Sequence, residues 1–216
     1  MDIFRDFKQY ADQVADTARW AARKGWAPAT STNYSIGLPV DAAPAICAIT
    51  ASGIDKDHLD SDSVIAIDGE GRPMNGSRLR PSAETPLHLM LYRRANVGAV
   101  LHTHSIAAAL LSRSAEATGF LTFSGWELLK GLGGIDRHDC EVRLPVFPNS
   151  QDMAWLSAHI EPRLPEAEPC YGFLLAGHGL YVWGKTLVDA KRHLEVFEYL
   201  LQCEREVRTH GYLAGA

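Results

Sequence analysis

Apolar residues recur at helical spacing in five parts of the chain. In 3–24 they line one face of a segment that ends at Gly25, which is the pattern of an amphipathic helix with a glycine stop. The same spacing predicts four further helices, at 86–94, 106–113, 151–160 and 187 to about 208. Helices are therefore predicted towards both ends of the sequence.

Short runs rich in β-branched and other apolar residues lie between these helices, bounded by polar or glycine residues. They predict strands at 34–38, 45–50, 63–68, 97–103, 142–147, 171–177 and 180–184. No repeat, low-complexity run or long linker divides the chain, so we expect a single domain over 1–216. Strands enclosed by helices predict a mixed sheet that is covered on both faces, which is a three-layer α/β/α domain.

Charge and composition narrow the classes of function. The formal net charge is −5 and no lysine or arginine cluster offsets it, so we expect no nucleic acid partner, although backbone amides can still bind a small anion. No apolar run approaches the roughly 18 residues of a membrane span, and 1–13 lack the apolar block of a signal peptide. The four cysteines are scattered without a CxxC pair, which is typical of reduced thiols. We therefore predict a cytoplasmic protein with no membrane partner.

Three histidines are candidate metal ligands. The predicted strand 97–103 runs into the motif LHTHS, and residues two apart on a strand share a face, so His102 and His104 lie side by side. His178 stands between two glycines after another apolar strand, where glycine permits close backbone approach. Imidazole nitrogens bind zinc-type ions. The alternative is that each histidine is an ordinary strand-end or hairpin residue.

Three loops are rich in hydrogen-bond donors, and we refer to them as the first loop (28–35, PATSTNYS), the second loop (49–53, ITASG) and the third loop (80–84, RPSAE). Their hydroxyl, amide and backbone groups predict a site for one small phosphate held by scattered donors. The alternative for each loop is a turn whose side chains bond to their own backbone.

Two glutamates are candidates for proton transfer. Glu84 precedes a predicted helix, where a carboxylate is also favourable simply because of the helix dipole. Glu127 lies between Trp126, which would raise its pKa by desolvation, and Lys130, which would lower it by forming an i, i+3 ion pair. The sequence leaves the direction of that shift open.

The motifs TSTN, ITASG, RPSAE, LHTHS and AGHG occur in the order found in the class II aldolase/adducin family, which the chain resembles over about 7–199. The stretches ATSTNYS, SAETPLHLMLYRR, GWELLKG and GHGLYVWGKT are similar to the family's dehydratase branch, which removes water from 5-methylthioribulose 1-phosphate. Thr32 replaces a glycine of the aldolases, and Ser82–Ala83 replaces their serine pair. Both departures argue against an aldolase.

The resemblance implies a role for each motif. It implies a largely antiparallel sheet, a homotetramer with sites near subunit boundaries, and one Zn²⁺ per subunit bound by His102, His104 and His178. It implies that Glu127 is the acid/base residue and that Glu84 ranks second. The residues that it implies for phosphate binding are Thr30, Ser31, Asn33, Ser52, Gly53 and Ser82.

The expected reaction is the zinc-dependent dehydration of 5-methylthioribulose 1-phosphate to 2,3-diketo-5-methylthiopentyl 1-phosphate, a step of methionine salvage. One alternative is a class II sugar-phosphate aldolase, for which Tyr212 is a candidate proton donor. A second alternative is a non-catalytic module like the adducin head domains. That module is expected to lack metal ligands, so the presence of all three histidines argues against it.

Overall fold

A computed structural model describes residues 3–39, 45–74, 77–165 and 170–211. These ranges contain five α-helices and eight strands. The helices are α1 (Ile3–Arg23), α2 (Thr85–Tyr92), α3 (Ile106–Ala115), α4 (Met153–Ile160) and α5 (Leu187–His210). The strands are β1 (Asn33–Gly37), β2 (Ala45–Thr50), β3 (Val64–Asp68), β4 (Ala99–Thr103), β5 (Phe120–Phe123), β6 (Val142–Phe147), β7 (Gly172–Leu175) and β8 (Gly179–Gly184). No helix in these ranges is both long enough and apolar enough to cross a membrane.

The strands form one sheet in the order β3-β2-β1-β4-β8-β7-β6-β5. Every neighbouring pair is antiparallel except β6 and β7, which are parallel. The predicted mixed, largely antiparallel sheet is therefore confirmed. The order also places β1, β4 and β8 side by side in the centre, although they lie far apart in the sequence.

Successive residues of the central strands pack against opposite layers. Leu101 of β4 belongs to the larger apolar core, which includes buried residues of α1, α3 and α5. Val100 belongs to the second core, which includes buried residues of α2 and α4. Because side chains alternate between the faces of a strand, this division confirms three layers with the sheet in the middle.

Local signals account for most element boundaries. Helix α1 stops at Arg23, and Gly25 follows with a φ of 77°, as the glycine stop predicts. Helix α5 starts after Thr186, whose side chain accepts a hydrogen bond from the Asp189 amide, and ends at Gly211 in the left-handed conformation. Strand β5 has no counterpart among the predicted strands.

Candidate metal centre

The carboxyl end of β4 presents two histidines on the face that is covered by α2. His102 is the penultimate residue of the strand and is fully buried, and His104 follows directly after it. Ser105 then caps α3 by accepting a hydrogen bond from the Ala108 amide, so the chain turns away immediately after the second histidine. The predicted same-face pair is therefore present, with its ring centroids 4.6 Å apart.

The turn between β7 and β8 delivers the third histidine. Gly177 has a φ of 65°, and the His178 amide donates to the Leu175 carbonyl at 3.0 Å, which closes the turn. At Gly179 a Cβ atom would lie 2.0 Å from the Thr103 carbonyl oxygen, far inside contact distance. Glycine is therefore required at Gly179, because β8 passes directly against the histidine-bearing strand.

A carboxylate from the start of α2 completes the cluster. Glu84 Oε1 lies 2.9 Å from His178 Nε2, and Glu84 Oε2 lies 3.6 Å from His102 Nε2. The Nε2 atoms of His102 and His104 lie 2.7 Å apart. One ligand atom from each of four side chains lies within 4.8 Å of the others: Glu84, His102, His104 and His178.

Hydrogen bonds direct two of the imidazoles towards the centre of the cluster. His102 Nδ1 donates to the Leu180 carbonyl at 3.0 Å, and His178 Nδ1 donates to Asn149 Oδ1 at 3.2 Å. Each bond fixes the proton on Nδ1, so the Nε2 lone pair faces the centre of the cluster.

Burial keeps these ligands in the form that metals bind. It lowers the pKa of His102 well below its ordinary value, and burial together with His178 lowers the pKa of His104 to about 4. Both imidazoles are therefore neutral near pH 7. Three imidazole nitrogens, with the Glu84 carboxylate beside them, form a donor set that fits Zn²⁺.

The buried amide of Asn33 holds the carboxylate in place. Asn33 Nδ2 donates to Glu84 Oε2 at 2.6 Å and approaches Ser82 Oγ at 3.2 Å. Burial by itself raises the pKa of the Glu84 carboxyl, but the imidazoles of His102 and His178 and this amide together hold that pKa below its ordinary value. Glu84 is therefore ionised when the site works near neutral pH.

A buried chain of polar groups continues behind Asn33, and sequence reasoning missed it. His88 of α2 bonds through Nε2 to Asn33 Oδ1 and through Nδ1 to Ser35 Oγ at 2.7 Å. Ser35 Oγ in turn lies 2.8 Å from the Tyr92 hydroxyl. The available signal was His88 itself, which stands among the apolar residues of a short helix. This chain fixes which end of the Asn33 amide faces Glu84.

The structure brings the three donor-rich loops together. Asn33 of the first loop bonds Ser82 of the third, and the Ser52 amide of the second loop donates to the Arg80 carbonyl at 2.9 Å. The remaining predicted phosphate ligands are exposed or half-buried at the surface beside these contacts: Thr30, Ser31 and Gly53. Their role in phosphate binding stays a prediction.

Glu127 lies outside the metal cluster of the described chain. It occupies a short 3₁₀ turn after β5, its side chain is 73 % exposed, and its carboxylate pairs with Lys130 and approaches His138. The hydrogen bond and charge of Lys130 lower the pKa of Glu127 and outweigh the small desolvation of this exposed carboxylate. Tyr212, the residue considered for an aldolase, lies outside the described residues.

Comparison with known proteins shows which family the chain belongs to. A model of the class II aldolase and adducin N-terminal domain matches residues 12–204. The chain is 43 % identical over 203 residues to methylthioribulose-1-phosphate dehydratase of Pseudomonas fluorescens, covering 94 % of this chain and 95 % of that protein. It is 41 % identical over 201 residues to methylthioribulose-1-phosphate dehydratase of Sorangium cellulosum, covering 93 % of each.

The fold is also similar to a solved structure. L-fuculose-1-phosphate aldolase from Thermus thermophilus superposes with a TM-score of 0.70 over 97 % of this chain and 98 % of that one, at 20 % identity. At this identity the likeness concerns the fold alone.

Proposed function

The chain belongs to the class II aldolase and adducin family, and from this premise we propose that it catalyses the dehydration of 5-methylthioribulose 1-phosphate. The product is 2,3-diketo-5-methylthiopentyl 1-phosphate, and the enzyme is a hydro-lyase of methionine salvage. The observation that carries the proposal is the cluster of three histidines and a glutamate in a chain with dehydratase relatives over most of its length.

His102, His104 and His178 hold the ion in this proposal, one Zn²⁺ per subunit. When bound, Zn²⁺ supplies Lewis-acid polarisation of the substrate carbonyl, which makes the neighbouring C–H bond more acidic. Three protein nitrogens leave coordination space for the substrate. The alternation of β4 and the glycine-bounded turn before β8 support this ligand set.

The side chains of the site then move protons. A carboxylate takes the proton from C3, the C4 hydroxyl accepts a proton and leaves as water, and the resulting enol tautomerises to the 2,3-diketone. Glu84 is the carboxylate that the single chain supports for this role, because its oxygens lie beside the ligand nitrogens. The three donor-rich loops bind the phosphate through the residues that the sequence predicts.

Glu127 enters the proposal through the quaternary structure. Its exposed carboxylate acts on the substrate only if it reaches the site of a neighbouring subunit. We therefore propose a cytoplasmic homotetramer in which Glu127 crosses a subunit boundary while Glu84 serves the site of its own chain. The family resemblance and the exposed position of Glu127 support this arrangement.

Product analysis tests the reaction. Zinc-loaded protein incubated with 5-methylthioribulose 1-phosphate is expected to yield a product lighter by one water, with no carbon–carbon cleavage. An aldolase would instead break the C3–C4 bond and release dihydroxyacetone phosphate and methylthioacetaldehyde, which mass spectrometry separates at once. The His178→Ala protein is the matched control. Turnover to the cleavage products would refute the dehydratase.

A further inference from the structure

Lys56 is a buried cation close to the candidate site, and sequence reasoning did not single it out. Its side chain is only 1 % exposed. The ammonium donates to the Ile54 carbonyl at 2.7 Å and to the Thr30 carbonyl at 3.2 Å. Thr30 belongs to the first loop, and Ile54 follows directly after the second, so one side chain joins two of the three donor-rich loops.

This ammonium forms no ion pair in the described part of the chain, although the charge of the neighbouring Asp55 acts on it at longer range and raises its pKa. Its contacts there are with carbonyl groups, and no described carboxylate lies within ion-pair distance, although the protein has 26 acidic residues and a net charge of −5. A buried charge is costly unless an opposite charge compensates it. Burial lowers the pKa of Lys56 to about 8, so the amine is still mostly protonated at neutral pH.

The position of Lys56 indicates which anion would compensate it. The first loop connects the ammonium to the cluster, because Lys56 bonds the Thr30 carbonyl and Asn33 of the same loop bonds Glu84 Oε2 at 2.6 Å. The Ser52 amide bonds the Arg80 carbonyl, which attaches the third loop to the second. The cation therefore lies where the three donor-rich loops converge.

We propose that Lys56 is the buried cation of the phosphate subsite: it ties the first loop to the second and its charge balances that of the bound phosphate. The inference rests on the proposed function for the identity of the phosphate, which is the ester of the sugar substrate. Two of the three ammonium donors hold the loops, and the positive charge favours a dianion next to donors that are themselves neutral. Lys56 is thereby a determinant of specificity for phosphorylated over unphosphorylated sugars.

Direct binding of inorganic phosphate to zinc-loaded protein tests this role without any turnover. Isothermal titration is expected to show phosphate affinity reduced about tenfold to a hundredfold in Lys56→Met, the range for loss of a charged hydrogen-bonding partner. Zinc content, measured by atomic absorption, is expected to match the wild type. Lys8→Met, which removes an exposed lysine paired with Asp12, is the charge-matched control and is expected to keep full affinity.

A second variant separates charge from loop geometry. Lys56→Gln retains a donor for the loop carbonyls but carries no charge, and it is expected to lose phosphate affinity as Lys56→Met does. A folded, zinc-loaded Lys56→Gln protein with wild-type phosphate affinity would overturn the inference. A test that needs no variant is to locate arsenate in crystals of the wild-type protein. Arsenate bound away from the first and second loops would also overturn the inference.

The same measurements keep this inference separate from the proposed reaction. If the protein binds phosphate in a Lys56-dependent manner but does not dehydrate 5-methylthioribulose 1-phosphate, the reaction is wrong and the role of Lys56 stands. If dehydration proceeds and the Lys56 variants bind phosphate as the wild type does, the inference about Lys56 is wrong and the proposed reaction stands.

Discussion

His102 combines complete burial with a fixed tautomer. The imidazole stacks on Tyr181 at a centroid distance of 3.9 Å, and its Nδ1 hydrogen is committed to a backbone carbonyl of the adjacent strand. His178 is less constrained, because its Nδ1 partner is the side chain of Asn149 rather than backbone. The orientation of the third ligand therefore depends on a residue that can be replaced without disturbing the sheet.

At the scale of single residues, we predict that zinc affinity falls further when a ligand is removed than when its hydrogen-bond partner is removed. His178→Ala removes a ligand and is expected to abolish stable zinc binding and activity. Asn149→Ala keeps the ligand but frees its ring, so zinc affinity should fall by about tenfold to a hundredfold. Competition with a chelator of known affinity measures both. Full zinc occupancy in His178→Ala would disprove the ligand assignment.

At the scale of elements, the site depends on how closely β8 approaches β4. The two strands pair antiparallel from Ala99 opposite Gly184 to Thr103 opposite Leu180. The face of β4 opposite His102 is also occupied: the Thr103 hydroxyl donates to the buried Glu198 carboxylate of α5 at 2.6 Å. The histidine strand is thus held by a strand on one side and by a helix behind it.

Gly179→Ala tests the strand contact. The added methyl group would collide with the Thr103 carbonyl and with the two histidine rings of β4, so the strands must separate. Overpacking of this kind typically costs about 1–3 kcal/mol. Denaturant unfolding should show that loss together with weaker zinc binding. Gly69→Ala, where the nearest atom outside the local chain lies 4.0 Å away, is the matched control and should be neutral in both assays.

Glu198 links the helix contact to pH. Burial raises the pKa of Glu198 to about 7, against the opposing hydrogen bonds from Ser105 and Thr103. Because the folded-state pKa lies above the ordinary 4.5, its contribution to stability is complete below about pH 4.5 and is lost as the pH rises through about 7. The difference corresponds to about 3 kcal/mol.

We therefore expect Glu198→Gln to change how stability varies with pH. Both proteins are compared without metal. The unfolding free energy of the variant minus that of the wild type should be larger at pH 8 than at pH 5, because an amide has no proton to lose. Urea denaturation of both proteins at the two pH values measures the difference. An identical pH dependence in both proteins would show that Glu198 is not protonated in the folded state.

At the scale of the whole molecule, the candidate metal ligands come from a single chain and Glu127 lies outside their cluster. The three histidines converge because β4 and β8 are neighbours in the sheet. Glu127 follows β5, the strand at the opposite edge from β3, and its carboxylate is exposed. Whether the acid/base role belongs to Glu84 or to Glu127 is therefore a question about the assembly.

Mixed oligomers answer that question. Glu127→Gln subunits and His102→Ala subunits are each expected to be inactive alone. Loss of a general base typically lowers the rate by a factor of about 10²–10⁴. Co-expressed, they should regain activity, because a site with intact ligands can receive Glu127 from the other type of subunit. Glu84→Gln mixed with His102→Ala should not recover, since both residues serve the same site. Full activity of Glu127→Gln alone would remove it from the mechanism.

The sequence by itself determined the features that depend on neighbours along the chain. Helical periodicity identified all five helices, and short apolar runs bounded by polar or glycine residues identified seven of the eight strands. The two-residue period of a strand placed His102 and His104 on one face. Glycines marked the turn of His178. These predictions succeeded because a helix with one covered face has a local apolar period, and a strand covered on both faces is a continuous apolar run.

Only the tertiary structure decided which distant residues meet. Sheet order brought Asn33 to the histidines, the packing of α2 on the sheet brought Glu84, and loop packing buried Lys56. The buried chain of polar groups through His88 and the exposed position of Glu127 likewise could not be predicted from neighbouring residues in the sequence. Contacts between segments about 50 residues apart depend on chain topology and desolvation, and a pattern that repeats every two to four residues carries no information about either.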